Sequence, residues 1–242
     1  MARALGAGAL LAAAPAAALD WSAAAEGWNH GADGYVDDQG DRLDFDDDLA
    51  VRTVPRARYS LELAGAAGAW PDWAASATHF GGRGRRVVEG VTVFGPIELA
   101  PGATLRSRAV FADQDLAVRW PWRCGAWRCA AGVALKHLDG EVVISDDEGQ
   151  NTRQPYDEWF PQLHLDLRRR FTAGVMLAAR AQGAAWDGAL AGEWQVGAEL
   201  GWFRPLYVRA AWMEKRYRIE AGGDRLDARL AGPLLGLGFR LR

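Results

Sequence analysis

Carboxylates crowd one stretch of this chain: Asp33, Asp37, Asp38, Asp41, Asp44, Asp46, Asp47 and Asp48 stand together against Arg42 alone. So much carboxylate could hold calcium. A calcium-binding loop, however, needs a glycine and a closing glutamate at fixed offsets, and these are not in place. No metal site is expected, and the stretch reads as a solvated acidic loop. His30, His79 and His137, the last with Asp139 and Glu141 close by, could supply an acid and a base. No serine lies in a nucleophile motif, so no catalytic residue is assigned and an enzyme is not expected. The run Gly81-Gly82-Arg83-Gly84-Arg85-Arg86 lacks the following helix and the Lys-Ser/Thr pair of a nucleotide loop. It is either a loop tip or a basic contact for anionic lipid headgroups, which arginine can grip through a bidentate fork. No cofactor is implied.

Cys124 and Cys129 are the two cysteines of the chain. Metal binding needs more ligands nearby, and a redox pair would favour Cys-x-x-Cys spacing. In an exported chain one close pair reads as a local disulfide across a turn.

The elements that must position these groups are strands. Leu235, Leu237, Phe239 and Leu241 fall on one face of a closing strand, and Gly236, Gly238, Arg240 and Arg242 on the other, because side chains alternate with period two. The same alternation recurs upstream, giving ten strand candidates: 19–30, 55–64, 72–80, 105–120, 127–144, 158–168, 173–186, 194–202, 206–219 and 226–242. In the sixth, Leu163, Leu165 and Leu167 oppose Gln162, His164 and Asp166. In the eighth, Trp194, Val196, Ala198, Leu200 and Trp202 oppose Gln195, Gly197, Glu199 and Gly201, with a tryptophan at each end of the apolar row and Leu200 near its middle. Aromatic edges on an apolar row are what a lipid interface selects. An even number of alternating strands, with short links in one set and longer ones in the other, predicts an antiparallel up-and-down transmembrane β-barrel with short periplasmic turns and longer extracellular loops over 19–242.

The inward faces then carry both charge signs: Arg56, Arg58 and Glu62 on the second strand, Asp113 and Asp115 on the fourth, Glu199 on the eighth, Arg209 and Lys215 on the ninth, and Arg240 on the tenth. Ten strands leave an interior only slightly wider than the eight-stranded case that side chains fill, so ion pairing across the lumen is expected, not a wide pore.

Residues 1–18 read as a signal peptide: Arg3, an apolar run through Ala14, then Pro15 and a small-residue cleavage site at Ala16-Ala17-Ala18. Half of all residues are apolar, yet beyond that segment they are dispersed in alternation, as a membrane barrel requires. The formal charge of −3 becomes −4 when Arg3 is removed, and gives no reason to propose nucleic acid.

The run Leu43-Asp44-Phe45-Asp46-Asp47-Asp48-Leu49, then Phe94-Gly95-Pro96-Ile97 through Pro101-Gly102, Leu138-Asp139-Gly140-Glu141, and the closing hairpin from Ala210 to Arg242 resemble the proteobacterial outer-membrane proteins of the OMP_w_GlyGly family. The resemblance covers essentially all of the chain after the signal segment. It implies an outer-membrane β-barrel; a Gram-negative barrel of this kind is expected to be a monomer in contact with outer-membrane lipids and lipopolysaccharide, and to be handled by periplasmic chaperones and the barrel-assembly machinery. The resemblance implies no particular activity. The expected role is a structural protein or a narrow conduit for small solutes. A rim-sited hydrolase acting on protein or lipid, and a receptor or adhesin working through its loops, are the competing readings.

Overall fold

The computed structural model describes residues 20–65, 70–172, 174–186, 189–201, 203, 205–221 and 223–241. The expected signal segment 1–18 and the lipid-facing position Trp202 lie outside the described residues. Among the described residues there is no helix.

Ten strands close one antiparallel barrel in chain order. They are β1 (Asp20–Trp28), β5 (Arg56–Ala64), β6 (Asp72–Val87), β9 (Thr104–Cys124), β10 (Trp127–Ser145), β11 (Asn151–Arg170), β12 (Val175–Trp186), β13 (Ala189–Gly201), β14 (Leu206–Ala221) and β15 (Asp224–Leu241). The closing strand meets the first, with Trp21 opposite Leu241 and Trp28 opposite Leu234. Closure removes both sheet edges, which is the only way strands satisfy their backbone groups in hydrocarbon.

Alternation along each strand sorts side chains into two environments. Leu163, Leu235 and Leu237 point outward and are 73%, 64% and 68% exposed. Leu165, Leu167, Trp194, Val196 and Leu200 are exposed on the same outer face, and Phe239 packs half-buried against Trp21 with ring centroids 5.4 Å apart. On β11 the apolar outer row runs from Leu167 to Trp159, roughly 20 Å of height at ~3.3 Å per residue and a tilt of about 40°. Leu200 is not central in its row. It stands one residue from the periplasmic end of β13, because that strand stops at Gly201.

Several segments expected to be loops are strand. β6 continues through Gly81 to Val87 beside β9, so Gly81–Arg86 is wall, not loop tip. Gly81 fits there because its φ is +140° and an added Cβ would stand 2.1 Å from the Ala109 carbonyl oxygen. The first strand also runs on: β2 (Gly31–Asp38) keeps the register of β1 along β15, with Gly31 opposite Ala231. β11 begins seven residues before its expected start, at Asn151. Alternation weakens where both faces of a strand meet water or loop, which is why these extensions were not legible.

The acidic stretch is not simply solvated. It folds into β3 (Asp41–Asp44), then a turn in which Asp48 Oδ2 accepts the Asp44 N–H at 2.9 Å, then β4 (Arg52–Thr53) on the edge of β6. Asp33, Asp46 and Asp47 are exposed, whereas Asp38 is buried together with Leu43, Phe45 and Leu49. A second hairpin, β7 (Thr92–Phe94) and β8 (Ile97–Leu99), lays Phe94, Ile97 and Leu99 on the same cluster. Gly95 turns that hairpin with φ +55°, and a Cβ there would fall 2.1 Å from Asp38 Oδ2.

Cys124 ends β9 and Cys129 lies near the start of β10, joined by a disulfide with Cα atoms 6.1 Å apart across the Gly125-Ala126 turn.

Three outcomes test this architecture. Leu163→Arg, at the middle of the β11 row, should cost about 2 to 4 kcal/mol in folding into vesicles measured by urea titration. Leu200→Arg should cost clearly less, and a larger loss at Leu200 would put the bilayer midplane nearer the periplasmic turns. Thiol quantification on denatured protein purified without reductant should find no free cysteine, whereas two free thiols would contradict the bond. Gly95→Ala should loosen the hairpin lid and increase protease cleavage between residues 88 and 103 while leaving the barrel folded; unchanged cleavage would refute the contact.

Candidate functional site

The interior divides into a charged half and an apolar half. Inward positions near the short turns come from polar residues on neighbouring strands, and they meet in two clusters. In the lower one, Glu62 of β5 and Asp166 of β11 gather Arg119 of β9, Arg168 of β11 and Arg180 of β12. Arg119 lies 2.9 Å from each carboxylate and Arg168 2.7 Å from each, while Arg180 pairs with Glu62. In the upper one, Asp113, Asp115 and Glu193 surround Lys136 and Lys215. Lys136 Nζ is 2.8 Å from Asp113 and from Asp115, and Lys215 Nζ is 3.0 Å from Asp113 and from Glu193. The Tyr217 hydroxyl donates to Asp113.

A chain of pairs links the clusters to the mouth. Arg58 reaches Glu193 and Glu26, Arg209 lies 3.0 Å from Glu26 and 2.6 Å from Glu199, and Arg240 lies 2.6 Å from Glu199. Among the described residues, the carboxylates Glu26, Glu62, Asp72, Asp113, Asp115, Asp166, Glu193 and Glu199 thus meet nine cations, Arg58, Arg119, Arg128, Lys136, Arg168, Arg180, Arg209, Lys215 and Arg240, of which Arg128 is exposed at the turn and lies 2.6 Å from Asp72. The buried charges of this half are internally paired, which is what burial demands.

Among the described residues, Asp113, Asp115 and Glu193 are also the one group of carboxylates close enough to share a metal ion. Their oxygens already face two ammonium groups, so the cluster is an ion-pair core and not a vacant ligand set.

Above it the lining turns apolar. Trp28, Phe80, Phe111, Leu138, Tyr156, Phe160 and Met213 are buried, and Phe80 stacks on Phe111 and Tyr217 at 5.3 and 5.7 Å. The buried residues of both hairpin lids complete this plug. Below, a cavity of about 720 Å³ opens between the short turns and is lined by Glu62, Asp72, Arg119, Arg168 and Arg240. The next space upward, among Asp166, Arg180, Glu199 and Arg209, is about 20 Å³, room for roughly one water. Among the described residues, the buried side chains of the ion-pair network and of the apolar plug fill the lumen above this vestibule.

Of the expected lumen charges, Arg58, Glu62, Glu199 and Arg209 are buried in the network, and Arg240 is half-buried at its mouth. Arg56 has the inward parity of Arg58 but is exposed, because β5 begins there and the wall no longer encloses it. Sequence reasoning missed Glu26, Arg119, Lys136, Arg180 and Glu193. Lys136 and Arg180 are each the one charge in a run of small, apolar or uncharged residues sharing their face, whereas Arg119 shares its face with Asp113 and Asp115 and Glu193 shares its face with Glu199. The rim histidines do not converge. His30 is buried inside, stacked on Trp28 at 4.4 Å, whereas His79 is exposed on the outer wall and His137 sits there against Asp157 at 2.7 Å and Trp159 at 4.2 Å.

No protein-family model matches this chain, and no curated protein matches it. Among solved structures it is similar to the transport unit of the autotransporter AIDA-I from Escherichia coli, at 11% identity over 91% of this chain and 89% of that one, with a TM-score of 0.40. It is similar to Ail, the attachment invasion locus protein of Yersinia pestis, at 11% identity over 91% and 98%, with a TM-score of 0.34. It is also similar to the Pseudomonas putida toluene transporter TodX, at 9% identity over 91% and 89%, with a TM-score of 0.33. At such scores nothing those proteins do extends to this chain.

Proposed function

We propose that this chain is an integral protein of the bacterial outer membrane, exported by its N-terminal segment, non-catalytic, and structural in role rather than a general conduit. The observation that carries this reading is the filled interior. A network of paired charges lies under an apolar plug, so an ion entering the vestibule meets ion pairs and then hydrocarbon. The outer apolar belt supports the membrane assignment, since a soluble protein rarely leaves so large a contiguous apolar surface exposed. The family resemblance of the 43–49, 94–102 and 138–141 segments agrees with that location. A monomer in contact with outer-membrane lipids and lipopolysaccharide, inserted by the barrel-assembly machinery after chaperone escort, is the partner set that follows.

Planar-bilayer recording tests the closed lumen. The refolded protein should give no large steady conductance, and Arg209→Ala should add at most small, brief openings, because the apolar layer above it remains. Large, steady, weakly selective channels that Arg209→Ala leaves unchanged would move the function to a porin. The network itself is tested by Lys136→Met, which leaves Asp113, Asp115 and Glu193 short of one cation and should cost about 3 to 5 kcal/mol. Adding Asp115→Asn should recover part of that loss. A Lys136→Met barrel as stable as wild type in urea would show that the charges are not tightly paired.

A further inference from the structure

The outer wall carries an arginine ladder that the lumen does not use. Arg52 of β4 stands directly opposite Arg83 of β6, Arg83 opposite Arg108 of β9, and one step higher Arg85 lies opposite Arg106. All five are exposed. Directly opposed side chains have Cβ atoms about 4.5 to 5.5 Å apart, and like charges so placed destabilise the sheet. Arg106 is relieved by Asp147 at 2.8 Å. Among the described residues no carboxylate lies within ion-pair distance of Arg52, Arg83 or Arg108. Three strands therefore hold like charges together with too little internal compensation.

The height of the ladder identifies what compensates it. Trp73, Ala75, Ala77 and His79 form the outer face of β6 below Arg83, with Trp73 exposed at the periplasmic edge of the belt. From Trp73 to Arg83 is roughly ten residues, or about 25 Å along the barrel axis at ~3.3 Å per residue and a tilt of about 40°. That is the thickness of the apolar belt, so the ladder stands where the outer-leaflet headgroups begin. Val110 and Val143 flank it on β9 and β10, half-exposed, with Glu141, opposite Val110 and paired to Arg153, beside them on the same face. Guanidinium forks match phosphate oxygens in a bidentate manner.

We infer that Arg52, Arg83, Arg85, Arg106 and Arg108 form a binding site for the phosphate groups of an outer-leaflet lipid, which holds this wall against the membrane from outside. The inference rests on the outer-membrane reading above and names the lipid contact within it. A soluble polyanion is the weaker alternative, because the site faces the bilayer edge.

The test uses the full barrel refolded in phosphatidylcholine nanodiscs. Insertion is scored first, by heat-modifiable migration and protease protection; failure there would sink the membrane reading itself. On inserted protein, native mass spectrometry and titration measure binding of bisphosphorylated lipid A, dephosphorylated lipid A and inorganic polyphosphate. Wild type should bind bisphosphorylated lipid A, the dephosphorylated form should bind at least about tenfold more weakly, and Arg83→Ala with Arg108→Ala should lose about tenfold or more, in line with two charge-assisted contacts. Arg218→Ala with Arg229→Ala, which removes arginines paired to Asp227 and Glu214 on the far wall, should leave binding unchanged. The site is overturned if the inserted wild type ignores lipid A, if removing its phosphates changes nothing, if the ladder variant binds as well as wild type, or if polyphosphate alone is retained.

Discussion

Closure at ten strands is the constraint from which the rest of this molecule follows. Hydrocarbon outside forces every backbone hydrogen bond into the wall, and a wall of ten strands encloses a space that long side chains cross. Inward residues therefore have to be mutually compatible across strands far apart in sequence. Glu62 answers to Arg168 and Arg180, and Arg209 to Glu26, over separations that no local pattern links. The pairing of opposite charges among these inward residues is the expression of that constraint, since a single uncompensated charge in such a space is costly.

The interior then changes character along its axis for a reason rooted in the connections. Short turns leave one mouth open, and there arginines and carboxylates can meet water in a vestibule of about 720 Å³. At the other mouth the strands are joined by longer segments with apolar residues of their own, Leu43, Phe45 and Leu49 in one and Phe94, Ile97 and Leu99 in the other. These fold inward over Trp28, Phe80 and Phe111, because burying them there removes apolar area that no lipid covers. The barrel is thus sealed by the same hydrophobic term that holds a soluble core, placed beyond the reach of the bilayer.

The outer surface divides in the same way. In the belt, leucine, valine and tryptophan face lipid. Above it, β14 and β15 carry exposed arginines that are paired with carboxylates on the adjoining strand, as Arg218 is with Asp227 and Arg229 with Glu214. The β4, β6 and β9 wall carries arginines opposed by arginines. Arg216 also stands opposite Arg229 on the first wall, where Glu214 pairs with Arg229, whereas Arg52, Arg83 and Arg108 have no carboxylate partner among the described residues, which is the compensation an anionic neighbour would supply.

Much of this was written in the sequence by itself. Period-two alternation in Leu163-Leu165-Leu167 and Trp194-Val196-Leu200 fixed the wall, the lipid face and the number of strands, because those faces see hydrocarbon on one side and polar lumen on the other. Cys124 and Cys129, isolated and close, were enough to expect one local bond. Arg58, Glu62, Glu199 and Arg209 were legible as inward charges by parity alone. What only the tertiary structure decided is everything that depends on neighbours distant in the chain. The strands run past the membrane into segments that read as loops, since alternation fades once both faces leave hydrocarbon. The acidic stretch hides three apolar residues under the lid, and parity could not say that Arg56 emerges from the wall while Lys136 is buried among three carboxylates. Parity gives a side chain its face; only closure of the barrel, which sets the height and the opposing strand, gives it a partner.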